Sequence, residues 1–126
     1  MTKRALITGG AGFIGSHVAD LFIENGYEVE IIDDLSTGKR ENVPEPAALH
    51  ETSVTSLQAA ATVRRGKFDV LVHLAAQMDV RRSVADPVFD ASINIRGMLN
   101  LLEAVKHTGR NTRVVFTSTC LSLIHI

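Results

Sequence analysis

The sequence predicts an α/β fold: a doubly wound parallel sheet in the strand order 3-2-1-4-5, truncated after the fifth strand, on a chain of 126 residues. Three observations predict it. Short apolar runs alternate with segments of helical periodicity, the pattern of strand–helix–strand units with right-handed crossovers and helices on both faces. A glycine cluster, Gly9-Gly10-Ala11-Gly12-Phe13-Ile14-Gly15, separates the first run from the first periodic segment. An acidic pair, Asp33-Asp34, closes the second run. In this class the ligand crevice opens beside the first strand.

Taken in order, Arg4–Thr8 is a buried strand that ends on glycines. Phe13–Asn25 is a helix with Ile14, Val18, Leu21 and Phe22 on one face, stopped by Gly26. Tyr27–Asp33 is the second strand, and residues 35–46, with Ser36, Gly38, Pro44 and Pro46, are a loop. Ala47–Glu51 reads as a short third strand, Val54–Arg65 as a helix ended by Gly66, and Asp69–Leu74 as the fourth strand. Residues 75–85 form a connection. Asp86 then caps a helix, Pro87 suits its first position and Gly109 its exit. That helix is apolar on two sides. Val88, Ala91, Ile95, Met98, Leu99, Leu102 and Val105 lie on one, and Phe89, Ile93, Leu101 and Ala104 on the other. One side suits the sheet and the other needs a second partner. Arg113–Ser118 is the fifth strand.

Composition narrows the function classes. Apolar residues make up 45% and charged residues 21%, the balance of a globular chain rather than a disordered one. A formal net charge of −1 lacks the basic footprint of a dedicated nucleic-acid binder. No apolar run approaches the length of a membrane span, and the apolar stretch after Met1-Thr2-Lys3-Arg4 breaks on glycines, unlike an export signal. One cysteine makes neither an internal disulfide nor a Cys-rich metal site. The expectation is a soluble, cytoplasmic chain with no metal, nucleic-acid or membrane partner.

The glycine cluster has a mechanism in its context. Gly9 permits the tight turn, Gly12 lets backbone approach a pyrophosphate, and Gly15 lets helix and strand sit close, so that free N–H groups at the helix start face the phosphates. Asp33 follows Gly15 by eighteen residues, where a carboxylate accepts both ribose hydroxyls of an adenosine and repels a 2′-phosphate. This favours NAD over NADP. Lys39 and Arg40 stand a few residues on, within range of a phosphate, and keep that choice open. His73 reads as a packed strand residue rather than a metal ligand. Arg81-Arg82 reads as surface, or as facing a substrate phosphate.

Thr8-Gly9-Gly10-Ala11-Gly12-Phe13-Ile14-Gly15-Ser16-His17 resembles the opening of the extended short-chain dehydrogenase/reductases, whose fold is of Rossmann type. His73-Leu74-Ala75-Ala76-Gln77, Arg82-Ser83-Val84 with Asp86-Pro87, and the stretch Asn94–Glu103 resemble the NAD-dependent epimerase/dehydratases of nucleotide sugars within them. The wording from Gln77 to Pro87 is most similar to UDP-glucose 4-epimerase-type members. The resemblance implies NAD as cofactor, with Gly9, Gly12, Phe13, Ile14 and Gly15 at the pyrophosphate and Asp33, Asp34, Ser36, Thr37 and Gly38 around the adenosine ribose. It further implies Leu74, Ala75, Ala76 and Gln77 along the cofactor, Asn94 near the nicotinamide half, and Thr119 as the catalytic hydroxyl. A nucleotide-sugar substrate and a homodimer of the full-length protein follow from the same resemblance.

The chain also departs from the family pattern. Where the family has Gly-Asp before an aliphatic residue, with the Asp on adenine, this chain has Thr52-Ser53-Val54, leaving Ser53 and Val54 at that position. The family's catalytic Tyr and Lys have no counterpart, since the one tyrosine is Tyr27. Residues 1–119 are therefore expected to be the N-terminal part of an NAD-binding domain without its substrate domain, inactive alone. Residues 120–126 are expected to be a non-native tail resembling translated adapter sequence. The alternatives are part of a nucleotide-sugar 4,6-dehydratase or decarboxylase, or a non-catalytic NAD-binding module. A dehydratase of this family has Asp-Glu after the Thr, where this chain has Cys120-Leu121.

Overall fold

The computed structural model describes residues 2–76 and 80–117. Strands β1 (Arg4–Thr8), β2 (Glu28–Asp33), β3 (Ala48–Glu51), β4 (Val70–His73) and β5 (Arg113–Phe116) form one parallel sheet in the order β3-β2-β1-β4-β5, as expected. Thr8 pairs with Ile32 on one side and His73 on the other, so the carboxyl ends of the three central strands stop level with one another.

Strand alternation sends neighbouring residues to opposite faces, and helices cover both, which is why the central strands read as continuous apolar runs. Ala5 and Ile7 pack with Val29, Ile31 and Val72 around Ala19 of helix α1 (Phe13–Glu24). Leu6, Ile32 and Leu71 pack with Ala59, Ala60 and Val63 of α2 (Leu57–Gly66) and with Leu101 and Ala104 of α5 (Gly97–Thr108). At the amino ends of the strands polar groups take over. The Arg4 guanidinium bridges Glu28 and Glu30 and donates to the Gly66 carbonyl at 2.7 Å, while His50 lies 2.6 Å from the other Glu30 oxygen.

Most elements differ from expectation by one residue at an end, and the larger differences are these. Helix α2 starts at Leu57, not Val54, because the Ser56 hydroxyl accepts from Ala59 N at 3.0 Å, while Val54 is buried in the core before the helix begins. The loop after β2 contains a single 3₁₀ turn, Arg40–Asn42. The connection 75–85 contains a helix, α3 (Val80–Ala85). The fifth strand ends at Phe116, and Ser118 lies outside the described residues.

The long helix is not continuous. Asp86 caps it through Phe89 N at 3.0 Å and Pro87 opens α4 (Pro87–Ala91), but Ser92–Arg96 winds as a π-helical turn before α5. A π turn inserts extra residue width and rotates everything after it. A uniform 3.6-residue wheel therefore groups Val105 with Val88 and Ile95, whereas Val105 packs against the core containing Leu101 and Ala104. The side left uncovered carries Val88, Ile95 and Leu99, all exposed, and Val84 of α3 is exposed too.

That face is exposed apolar surface, and Val115 and Phe116 of β5 are exposed as well. In size-exclusion chromatography the 126-residue chain is expected to elute ahead of its monomer position. Val88→Asp is expected to move it back. Monomeric elution across concentration would count against this.

Candidate functional site

The site is built where β1, β2 and β4 end. Gly9 turns with φ +76° and donates its N–H to the Ile32 carbonyl at 2.8 Å. A Cβ on it would stand 2.9 Å from Ala75 N, so glycine permits both the turn and the approach of the segment after β4. A Cβ on Gly15 would run into the Gly9 carbonyl. Gly12 is the residue before α1, and no side chain caps that helix. Its first-turn N–H groups are left for solvent or an anion, beside the positive end of the helix dipole.

Ala11 ties this loop to β2. Its N–H donates to Asp33 Oδ2 at 3.0 Å, and its carbonyl accepts from Lys39 N at 3.0 Å and Asn42 Nδ2 at 3.1 Å. Asp33 is 8% exposed, and its Oδ1 accepts from Leu35 N at 2.8 Å, which holds Leu35 at φ +62°. A carboxylate has about four acceptor sites, so two remain for a ligand. Asp34 makes the next such turn, accepting from Ser36 N at 3.0 Å. Ser36 and Thr37 are exposed, and Gly38 lies against the Ala11 backbone. Of the two cations near this loop, Arg40 is paired with Glu51 at 2.7 Å, while Lys39 is exposed.

After β3, the Ser53 hydroxyl lies 2.9 Å from that of Thr55, and the carbonyls of Val54 and Ser56 accept from Asn100 Nδ2 at 2.8 and 2.9 Å. After β4, Leu74, Ala75 and Ala76 run beside the glycine loop, with Leu74 N and Ala75 N each 3.1 Å from Thr8 Oγ1. Asn94 lies on the π-helical turn within the helix expected there, and donates to Asp90 at 3.1 Å. Gln77 and Thr119 lie outside the described residues. The structure thus brings together Gly9, Gly12, Phe13, Ile14, Gly15, Asp33, Asp34, Ser36, Thr37, Gly38 and Leu74–Ala76 at one end of the sheet. A cavity of about 630 Å³ lined by Asp86–Phe89, Ala91, Ser92, Ile95 and Arg96 lies along α4, on the uncovered helix face instead.

Sequence reasoning missed Asn42, Asn100 and the partnership of Thr8 with His73. Asn42 and Asn100 act through carbonyls distant in sequence, and no spacing rule marks them. Thr8 directly precedes the glycines, but the register that faces it to His73 is set by the β1–β4 pairing and is not marked in the sequence.

Burial pushes the His73 imidazole below its ordinary pKa of 6.5. The unfolded chain therefore takes up this proton at higher pH than the folded one. The contribution is full above about 6.5 and is lost as pH falls through the lower folded value. Between pH 7 and 5 the wild-type Tm is expected to fall more steeply than that of His73→Asn, read by circular dichroism. Parallel slopes would refute it.

Among the described residues, no helix is long and apolar enough to cross a membrane. A family model described as the NAD dependent epimerase/dehydratase family matches residues 5–122. A putative UDP-glucose 4-epimerase of Methanocaldococcus jannaschii is 40% identical over 114 residues, covering 90% of this chain and 37% of the relative. The crystal structure of UDP-glucose 4-epimerase from Thermotoga maritima with UDP-glucose superposes with a TM-score of 0.83 at 43% identity, covering 92% of this chain and 38% of that one. The UDP-glucose 4-epimerase of Thermus thermophilus in complex with NAD superposes at 0.81 with 43% identity, covering 92% and 37%. The chain thus spans under two-fifths of the length of these relatives.

Proposed function

Because the chain belongs to the NAD dependent epimerase/dehydratase family, we propose that it is the NAD-holding part of a nucleotide-sugar epimerase of the UDP-glucose 4-epimerase type. The observation that carries this reading is the conjunction of an uncapped α1 amino end with a buried Asp33 carboxylate that keeps two acceptor sites free, both anchored on Ala11. The residues fit the group. Gly9, Gly12 and Gly15 leave room for a pyrophosphate over the N–H groups of Phe13 and Ile14, and Asp33 would take the ribose hydroxyls, with Ser36–Gly38 beside it. Ser53 would meet the adenine with a neutral hydroxyl, and Leu74–Ala76 would line the cofactor toward its nicotinamide end.

Bound NAD supplies a site that takes up and returns a hydride. This chain's residues orient that group. Asp33 disfavours a 2′-phosphate by charge, and Arg40 is already neutralised by Glu51, which supports NAD over NADP. Proton transfer from a sugar hydroxyl needs a group of matched pKa. Tyr27 does not serve, because it is packed on Phe22 at the amino end of β2, opposite the crevice. The exposed Val88, Ile95 and Leu99 of the long helix support a homodimer of the full-length protein through this helix.

Calorimetry is the test. The chain is expected to release heat with NAD and to bind NADP at least about tenfold more weakly, a difference of about 1.4 kcal/mol. It is expected not to turn over UDP-galactose. No binding of NAD would overturn the reading, and turnover by the chain alone would overturn the assignment of proton transfer elsewhere.

A further inference from the structure

The floor of the crevice is closed by a buried polar pair outside the residues assigned to the cofactor. Thr8 is fully buried and His73 is 8% exposed, and they face each other across the β1–β4 pairing. Thr8 Oγ1 lies 2.7 Å from His73 Nδ1 and 3.1 Å from both Leu74 N and Ala75 N. The Leu74 N–H is shared with the Thr8 carbonyl, also at 3.1 Å.

A hydroxyl has one proton and two lone pairs. Both amides can only donate, so they take the lone pairs of Thr8 Oγ1. The hydroxyl proton then points at His73 Nδ1, which must accept it. The imidazole is therefore neutral, with its own proton on Nε2. Were Nδ1 to carry a proton instead, three donors would converge on one oxygen while its hydroxyl hydrogen lost its acceptor. The lowering of the His73 pKa by burial acts in the same direction.

We propose that His73 is a positioning residue for the cofactor: its bare Nδ1 orients the Thr8 hydroxyl, which in turn fixes the Leu74 and Ala75 amides as the floor between β1 and β4. The proposal rests on the reading of this crevice as the NAD site. It gives His73 a role without a metal and without proton transfer. It also explains why a polar pair stands at the switch point of the sheet, where apolar residues would pack equally well but would leave Ala75 N–H, 2.9 Å from the Cβ position of Gly9, with no fixed direction.

Nitrogen NMR on the full chain carrying ¹⁵N-labelled histidine tests the proton position. At pH 7 one histidine is expected to show an unprotonated Nδ1 and a protonated Nε2, and this signal is expected to vanish in His73→Asn. Calorimetry with NAD tests the role. Thr8→Val and His73→Leu are expected to weaken binding about tenfold or more, and the double variant no further, because the two act as one unit. Thr8→Ser keeps the hydroxyl, and His73→Asn offers an amide oxygen where Nδ1 was. Both are expected to bind within about threefold of wild type, well under one hydrogen bond's worth. Thr8→Val and His73→Leu variants that fold and bind as wild type overturn the proposal, as does loss of binding in both Thr8→Ser and His73→Asn. If Thr8→Val and His73→Leu do not fold, the NMR signature and the two conservative variants decide. A protonated Nδ1 in a wild-type chain that binds NAD overturns this role alone. No NAD binding by wild type overturns the crevice reading and this role with it, whatever the nitrogen signature.

Discussion

Gly15→Ala is expected to abolish NAD binding and to destabilise the chain by about 3 kcal/mol, the upper end of the overpacking range. The added methyl would occupy the place of the Gly9 carbonyl oxygen. That oxygen belongs to backbone and has no rotamer to escape into, and it already accepts the Gly12 N–H at 3.1 Å. Relief requires lifting the start of α1 off β1, which moves the first-turn amides away from the crevice and loosens Ala19 from Ala5 and Ile7. Gly12→Ala is the matched control. Its Cβ would meet only the Gly9 carbonyl, at 3.4 Å, and would otherwise project into open space. Its stability is expected to stay within about 1 kcal/mol, the scale of a change at the residue preceding a helix, while NAD binding weakens because the methyl stands where phosphate must come. Urea denaturation and calorimetry on both variants separate fold from function. A Gly15→Ala chain as stable as wild type would refute the argument.

Asp33→Ala is expected to weaken NAD binding about a hundredfold and to lower stability by about 3 kcal/mol or more, since two hydrogen bonds to a charged group are lost at about 1.5–3 kcal/mol each. Two effects coincide. The ligand loses its ribose acceptor, and the N–H groups of Ala11 and Leu35 lose their partner. Ala11 is fully buried, so its N–H has no water to turn to. Asp33→Asn distinguishes the two. One amide oxygen still serves one N–H, but the amide nitrogen then faces the other, donor against donor. Stability is expected to recover in part while discrimination against NADP collapses. An Asp33→Ala chain that binds NAD and melts like wild type would sink both the ribose assignment and the clip.

Much of this was legible in the residues. Alternation makes the sheet parallel and doubly wound, and β1 has the expected bounds because its apolar run stops on glycine. Gly9, Gly15 and Asp33 were legible because each performs a task few residue types perform: a positive φ, a missing Cβ, and a carboxylate at a strand end. What escaped was of another kind. The π turn at Ser92–Arg96 leaves no mark in composition, since Asn94 and Arg96 are ordinary helix residues. The start of α2 turned on Ser56 against Val54, and a wheel that saw Val54 as apolar could not tell core before the helix from core within it. Asn42 was invisible because its partner, the Ala11 carbonyl, lies thirty-one positions away and carries no side-chain signature.

The two backbone groups of Ala11 have a thermodynamic consequence. Its N–H is tied to the end of β2, and its carbonyl, in the next peptide group, to Lys39 and Asn42. In the proposed reading, the glycine loop offered to phosphate and the Asp33 wall offered to ribose therefore share one joint. A ligand arriving there finds its adenosine half already shaped, and little disorder has to be frozen out on contact. Recognition at this end should resemble a key entering a cut lock, leaving any adaptive closing to the opposite, nicotinamide end.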